Sequence, residues 1–180
     1  NAAKILGCHS IRVNARSEGS YDEQIKLTSD GLRILSEFAD NIGINILVEN
    51  HGGLSSNGKW LTKVMKTVDH SRIGTLPDFG NFCISDEGYG SIFDGSCKEA
   101  YDIYKGISEM MPRAFGVSAK SYDFNSEGFE TSIDYNRMLK IVKDQNYKGF
   151  IGVEYEGNRL SEIEGIKATK DLLVNIGNEM

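Results

Sequence analysis

At 180 residues, 39% hydrophobic and 26% charged, the chain has the size of one ordinary domain and enough residues for a real core. Twenty basic against 26 acidic side chains give a net charge of −6, which argues against a surface built for nucleic-acid phosphates. No apolar run approaches the roughly 20 residues of a membrane span. Cys8, Cys83 and Cys97 form an odd set without a CxxC pair. That indicates neither a disulfide framework nor a thiolate zinc site, so reduced, partly buried thiols are expected.

The chain opens without Met, and residues 1–7 (NAAKILG) read as the tail of a helix with a glycine stop. The expectation is a chain that begins inside a longer protein, where a removed leader would be invisible; a cytoplasmic location is the default. Residues 8–15 read as a strand with a polar end, broken by Gly19 and Ser20. A helix is expected over 21–41, with Ile25, Leu32, Leu35, Phe38, Ala39 and Ile42 on one buried face. Gly43 stops it, and the apolar run 44–51 (INILVENH) is a buried strand carrying Glu49 near its end. Residues 52–58 (GGLSSNG) are a loop, and 59–68 a short helix with Leu61, Val64, Met65 and Val68 on one side. The third strand covers 73–79, where Pro77 removes a ladder donor as pairing should be ending.

Residues 80–96 read as a long loop, 97–111 as a helix ended by Pro112, and 113–120 as the fourth strand. After a polar loop over 121–132, a helix is expected at 133–145, the fifth strand at 150–156, and a last helix at 161–176. Strand and helix alternate five times in one domain, without linker or charge block. This predicts βα units on a parallel sheet, with active residues at the C-terminal strand ends.

Side chains alternate across a strand, so Glu49 shares a face with Asn45 and His51, Lys120 with Gly116 and Ser118, and Glu154 with Gly152 and Glu156. The opposite faces are apolar, as helix-covered faces must be. Small residues followed by polar ones fit the interior of a barrel with chemistry at its mouth. The convergent set is Glu49, His51, Asp78, Ser118, Lys120 and Glu154. Three carboxylates at one mouth repel unless compensated, and a divalent cation resolves this; oxygen-rich ligation suits Mn²⁺ or Mg²⁺ better than Zn²⁺. Taken singly, each acid could instead be a solvated strand end paired with Lys120 or Arg12. His51 could also serve the Gly52-Gly53 turn, and Arg12 and Asn14 could bind a substrate oxygen or close a salt bridge. His9 and His70 read as structural. No GxGxxG, GxxxxGK[ST] or nucleophile-elbow pattern occurs.

The pieces ILVENHGG (46–53), LPDFGNF (76–82), GVSAKSYDF (116–124) and GFIGVEYEG (149–157) together resemble the sugar phosphate isomerase/epimerase family of xylose isomerase-like TIM barrels. The resemblance implies a (β/α)8 barrel to which this single domain contributes about its last five βα units, without the N-terminal ones. Such a fragment is expected to be marginal or aggregation-prone alone. It further implies metal ligands at Glu49, Asp78 and Glu154, with Ser118 at the position where the family carries histidine. Glu49 and Glu154 would be the acid/base pair, and His51, Lys120 and Arg12 would bind substrate. The implied chemistry is isomerisation or epimerisation of a keto or aldo sugar, or its phosphate, through an enediolate. The partner would be a small sugar rather than nucleic acid or membrane, with homo-oligomerisation left open. Two other classes share the barrel: a sugar-binding domain that has lost catalysis, which the serine at 118 favours, and a metal-dependent endonuclease, which the scarcity of histidine disfavours.

Overall fold

The β-branched and apolar runs between the glycine breaks form five short parallel strands, and the amphipathic stretches between them form helices. A computed structural model describes residues 1–85, 91–93 and 95–180. The strands are β1 (Ser10–Asn14), β2 (Asn45–Glu49), β3 (Ile73–Leu76), β4 (Val117–Ser121) and β5 (Ile151–Tyr155). Neighbours run parallel, with Asn14 opposite Glu49, Glu49 opposite Leu76, and Lys120 opposite Glu154. Parallel bridges Thr75–Ala114 and Asp78–Ser118 join β3 to β4. There the Phe115 N–H donates to the Thr75 carbonyl at 3.0 Å, and the Ser118 N–H to the Pro77 carbonyl at 2.9 Å. Spatial order therefore follows chain order. A doubly wound sheet would reverse at a switch point; a sequential parallel order is the wall of a TIM-like barrel, here an arc of five βα units.

The helices are α1 (Ala2–Ile5), α2 (Tyr21–Asp40), α3 (Gly58–Val68), α4 (Ile103–Met110), α5 (Tyr135–Asp144) and α6 (Glu162–Glu179). From α2 to α6 each packs on the next, forming the outer layer. Trp60, Leu61, Val64, Met65 and Val68 of α3 are completely buried, each such side chain contributing about 1.5–3 kcal/mol of transfer free energy. No helix among the described residues is long and apolar enough to cross a membrane.

Several expectations need correction. Residues 97–101 are not helical: the Tyr101 N–H donates to the Phe82 carbonyl at 2.8 Å and Ala100 bridges Cys83, so this segment lies extended beside 82–84. Asp102 caps α4 only after that. Cys83 and Cys97 form a disulfide with Cα atoms 5.7 Å apart, and Cys8 alone remains a free thiol. The expectation of three thiols fails because the loop folds back on itself, which spacing does not reveal. The fourth strand starts at Val117, because Met111–Arg113 is a 3₁₀ turn. The predicted loop at 52–58 contains a 3₁₀ turn over Gly53–Ser56. Phe38 is exposed rather than on the buried face of α2; with Leu27 and Ile34 it forms a separate stripe on the helix's outer flank. Part of the predicted loop 80–96 lies outside the described residues.

Candidate active site at the strand ends

Each strand delivers a polar side chain at its C-terminal end, because the period of two keeps one phase on the interior face. Arg12 comes from β1, Glu49 from β2, Asp78 just after β3, Ser118 and Lys120 from β4, and Glu154 from β5. Carboxylate oxygens of Glu49, Asp78 and Glu154 all lie within 4.8 Å of one another. Arg12, Glu49, His51, Ser118 and Glu154 line one open cavity together with Leu76 and Val117. The structure thus brings together every residue the sequence proposed for the site, with Lys120 beside them.

The deepest member is Asp78, fully buried. Its Oδ1 accepts the backbone N–H groups of Gly80 and Asn81, both at 2.9 Å. Its Oδ2 is buried without a hydrogen-bond partner. Burial pushes its carboxyl up to about 8; Lys120 opposes the rise, while Glu154 and Glu49 add to it. Glu49 is only 3% exposed. Burial raises its pKa as well, against the Arg12 guanidinium, which donates to Glu49 Oε2 in a close ion pair. Glu154 is half-buried. Burial alone would push it up, but the Ser118 hydroxyl, donating to its Oε2 at 2.7 Å, and the nearby Lys120 together hold it below the usual carboxylate range.

Lys120 is 2% exposed, and its ammonium is shared by Glu156 at 3.1 Å, Glu154 at 3.4 Å and Asp78 at 4.0 Å. It also donates to Asn81 Oδ1 at 2.9 Å. Burial works against its charge, yet the three carboxylates prevail and its pKa is raised. Lys120 therefore stays cationic and serves as a donor rather than a base. Gly80 lets it pass: a Cβ there would stand 2.5 Å from the Tyr122 hydroxyl and 2.9 Å from Lys120 Cδ.

Sequence reasoning missed two asparagines. Asn50 Oδ1 accepts the Asp78 N–H at 2.7 Å, and its Nδ2 donates to the carbonyls of Asp78 and Asn81 at 3.0 and 2.9 Å. This cross-link fixes the end of β2 against the turn that carries Asp78. Asn81 connects that turn to Lys120. The only signal for either was nearness to an acid, Asn50 directly after Glu49 in the ILVENHGG run and Asn81 three residues after Asp78 in LPDFGNF. His51 lines the cavity, while its backbone N–H donates to Ser55 Oγ at 2.9 Å and so helps hold the turn at Gly52-Gly53. Both glycines adopt positive φ, 82° and 60°. His9 stacks on Phe150, and His70 Nδ1 accepts the Arg72 N–H; both are structural, as expected.

The site fits a divalent cation. Three carboxylates converge, the buried Asp78 Oδ2 lacks any donor, and oxygen ligands suit hard ions. The Ser118 hydroxyl donates its proton to Glu154 and so orients that carboxylate; its oxygen is a weaker metal ligand than an imidazole nitrogen.

With this geometry established, comparison with known proteins is informative. An inosose dehydratase of Clostridium beijerinckii is 28% identical over 77% of this chain; the chain spans half the length of that relative. The structure is similar to a 3-keto-D-glucoside 4-epimerase from E. coli, with TM-score 0.66 and 18% identity, covering 98% of this chain and 66% of the other. Two further neighbours carry metal. One is a xylose isomerase-like TIM-barrel protein from Mycobacterium smegmatis in complex with magnesium, with TM-score 0.65 and 15% identity over 97% of this chain and 63% of that one. The other is an IOLI protein with a bound zinc atom, with TM-score 0.64 and 18% identity over 97% and 64%. The family model described as xylose isomerase-like TIM barrel matches residues 1–175, and the chain belongs to that family.

Proposed function

We propose that this chain carries the catalytic wall of a sugar isomerase or epimerase that transfers a proton beside the carbonyl of a keto or aldo sugar, or its phosphate, through an enediolate. The observation that carries the reading is the convergence of Glu49, Asp78 and Glu154 around the unpartnered Asp78 Oδ2. A divalent cation held by these three carboxylates, Mn²⁺ or Mg²⁺ in preference to Zn²⁺, would polarise the substrate carbonyl and its neighbouring hydroxyl. Glu154, ionised and the most accessible of the three, takes the proton from carbon. Lys120 directs an N–H at the oxygen on which negative charge develops. Glu154 returns the proton to the adjacent carbon in an isomerase; in an epimerase Glu49 returns one to the opposite face. His51 and Arg12, on the cavity wall, orient substrate hydroxyls.

Glu154→Gln should lower exchange of the substrate's carbon-bound proton with D₂O by roughly 10²–10⁴-fold while leaving the circular dichroism spectrum unchanged. Undiminished exchange in the folded variant would sink the assignment.

A second reading uses the same first step and is favoured by the protonated Lys120 beside Glu154. Glu154 removes the proton next to the carbonyl, the C–O bond on the following carbon breaks, and the departing hydroxyl, hydrogen-bonded by the Lys120 ammonium, takes that proton back from Glu154 and leaves as water. The dehydratase relative points the same way. Loss of one water from the product, seen by mass spectrometry, distinguishes elimination from isomerisation.

The working unit in this proposal is a single xylose isomerase-like barrel domain to which these residues contribute five βα units. Support comes from β1 and β5, each paired on one side only among the described residues. The exposed apolar flanks of α2 (Leu27, Ile34, Phe38) and α6 (Ile163, Ile166, Val174) have the character of helix-packing surfaces.

A further inference from the structure

The Cys83–Cys97 disulfide takes no part in the chemistry above, yet its two sulfurs stand in unequal surroundings. Cys83 is completely buried, whereas Cys97 is partly exposed. A thiolate arriving from solvent therefore reaches Cys97 Sγ and not Cys83 Sγ. Ser85 sits beside the sulfur that would leave: its Oγ is 3.1 Å from Cys83 Sγ and 3.9 Å from Cys97 Sγ. That oxygen accepts the Lys98 N–H at 3.1 Å. Neither sulfur of a disulfide carries a proton, so the hydroxyl is the donor in its sulfur contacts. A donor at the leaving sulfur stabilises the thiolate formed there, and a better leaving thiolate speeds exchange. The disulfide also lies a few bonds from the reacting centre. Asn81, two residues before Cys83, donates its N–H to Asp78 Oδ1 at 2.9 Å and accepts Lys120 Nζ on its Oδ1 at 2.9 Å. Inside the loop that the disulfide closes, Ser91 bridges Asn81, and its Oγ lies 3.0 Å from the Tyr122 hydroxyl. The Phe93 ring packs 5.0 Å from that of Tyr122, which lies with the Lys120 stem against Gly80. The loop ends are otherwise joined by the Tyr101 N–H on the Phe82 carbonyl and the Ile84 N–H on the Glu99 carbonyl, both at 2.8 Å, along a segment exposed over 98–100. Backbone hydrogen bonds at an exposed edge open easily, which leaves the disulfide as the firmest tie between the loop ends.

We propose that Cys83–Cys97 is a site of reversible thiol–disulfide exchange, opened by a dithiol, whose state sets how firmly Asn81 holds Asp78 and Lys120. One thiolate of the dithiol attacks Cys97 Sγ; the S–S bond breaks, and Cys83 leaves as a thiolate against the Ser85 hydroxyl. The second thiolate then attacks the dithiol's own sulfur in the mixed disulfide, and Cys97 leaves. The dithiol is oxidised to its cyclic disulfide and two electrons pass to the cysteines. The two protons that the dithiol gave up reach Cys83 and Cys97 through water. With the tie broken, Asn81 is held less firmly, and so are the N–H on Asp78 and the acceptor of Lys120.

The test compares the full chain in oxidised form, reduced by dithiothreitol under argon, and reoxidised, beside the double variant Cys83→Ser with Cys97→Ser. On reduction, amide NMR shifts should change at Gly80, Asn81 and Tyr122 as well as at the cysteines, with α5 and α6 unmoved, and should return on reoxidation. The double variant should resemble the reduced chain and ignore dithiothreitol, while Cys8→Ser should respond as the parent does. Changes confined to 82–85 and 97–101 overturn the proposal, as does a general loss of shift dispersion, because the cross-link is then a staple only. Excess glutathione, quenched in acid and mapped by mass spectrometry, should leave its adduct on Cys97, and Ser85→Ala should slow reduction several-fold. An adduct on Cys83, or an unchanged rate, overturns the assigned direction of exchange. Calorimetry with Mn²⁺ reads the coupling to the carboxylates, and this arm alone rests on the metal site proposed above. The reduced chain should bind Mn²⁺ about tenfold more weakly than the oxidised one, and equal affinity overturns the coupling. No Mn²⁺ binding in either state refutes the metal reading, while the NMR comparison decides the exchange site on its own.

Discussion

Replacing Lys120 by methionine isolates what the buried ammonium does before any substrate arrives. Methionine keeps most of the aliphatic stem, so packing against Gly80 and Tyr122 is largely retained. The charge is lost, and with it the Asp78 contact at 4.0 Å and the donor to Asn81 Oδ1 at 2.9 Å. Contacts to Glu154 and Glu156 matter less for stability, since those side chains are 38% and 45% exposed and screened by water. Breaking a buried pair costs about 3–5 kcal/mol when the partner stays charged. Asp78 has an escape, because its carboxyl is already pushed up to about 8 by burial and can take a proton instead. We therefore expect a loss of about 3 kcal/mol in metal-free protein, larger at pH 9 than at pH 6. The sign follows from linkage. A folded-state pKa raised above the unfolded 3.8 favours the fold below 3.8 and withdraws that contribution as pH climbs toward the folded value. Equilibrium urea unfolding reports this through Trp60, the sole and fully buried tryptophan. Mn²⁺ at a hundred times its Kd should add about 2.7 kcal/mol. At any one concentration the gain should be greater in Lys120→Met, because the ammonium no longer repels the ion. A loss below about 1 kcal/mol, together with equal Mn²⁺ stabilisation of both proteins, would refute the reasoning.

Other consequences can be checked separately. Cys83→Ala should cost about 3 kcal/mol, the loop-closure value for a cross-link of this span, and dithiothreitol should cost the parent the same; indifference to both would remove the cross-link from the stability argument. At α6 the Ser161 hydroxyl and N–H hold the Glu164 carboxyl below its usual 4.5, so its contribution is present above that value and fades as pH falls through the lowered one. An NMR titration should find Glu164 low in the parent and higher in Ser161→Ala, which loses the hydroxyl but keeps the N–H; an ordinary value in the parent contradicts the capping box. Light scattering should show the chain self-associating through its apolar flanks, and Leu27→Glu, Ile34→Glu and Phe38→Glu together should reduce this. A monodisperse parent with two-state unfolding would count against the flanks as packing surfaces.

What the sequence disclosed was whatever is local to a strand. Glu49, Lys120 and Glu154 fall in the interior phase because the period of two and the glycine breaks are written in consecutive residues, and Asp78 follows from the end of β3. What it hid depends on how separate segments meet. The cross-links of Asn50 and Asn81 exist only once β2, β3 and β4 are in register, and the Cys83–Cys97 disulfide only once residues 97–101 fold back along 82–84. Phe38 shows a different limit. Its spacing fits two stripes on α2, and periodicity cannot say which of them a neighbour covers.

Ser118 is where local pattern and assembled structure have to be argued together. The family resemblance places histidine there, and its replacement suggests a damaged metal site. In the fold the serine is not a gap: its hydroxyl donates to Glu154 Oε2, leaving Oε1 3.4 Å from Lys120. An imidazole would bring a neutral nitrogen donor to the cation and suit zinc. The hydroxyl instead orients a carboxylate, so the donors that remain are oxygens and the compensating charge lies in Lys120 and Arg12. Ser118→Ala and Ser118→His therefore separate two roles. Alanine should loosen Glu154 and raise its pKa, with Mn²⁺ binding weakened modestly. Histidine should move the preference from Mn²⁺ toward Zn²⁺, read by competition calorimetry without any substrate. If Ser118→His left the order of metal affinities unchanged, position 118 would not face the ion, and the three-carboxylate assignment would have to be redrawn around a different fourth neighbour.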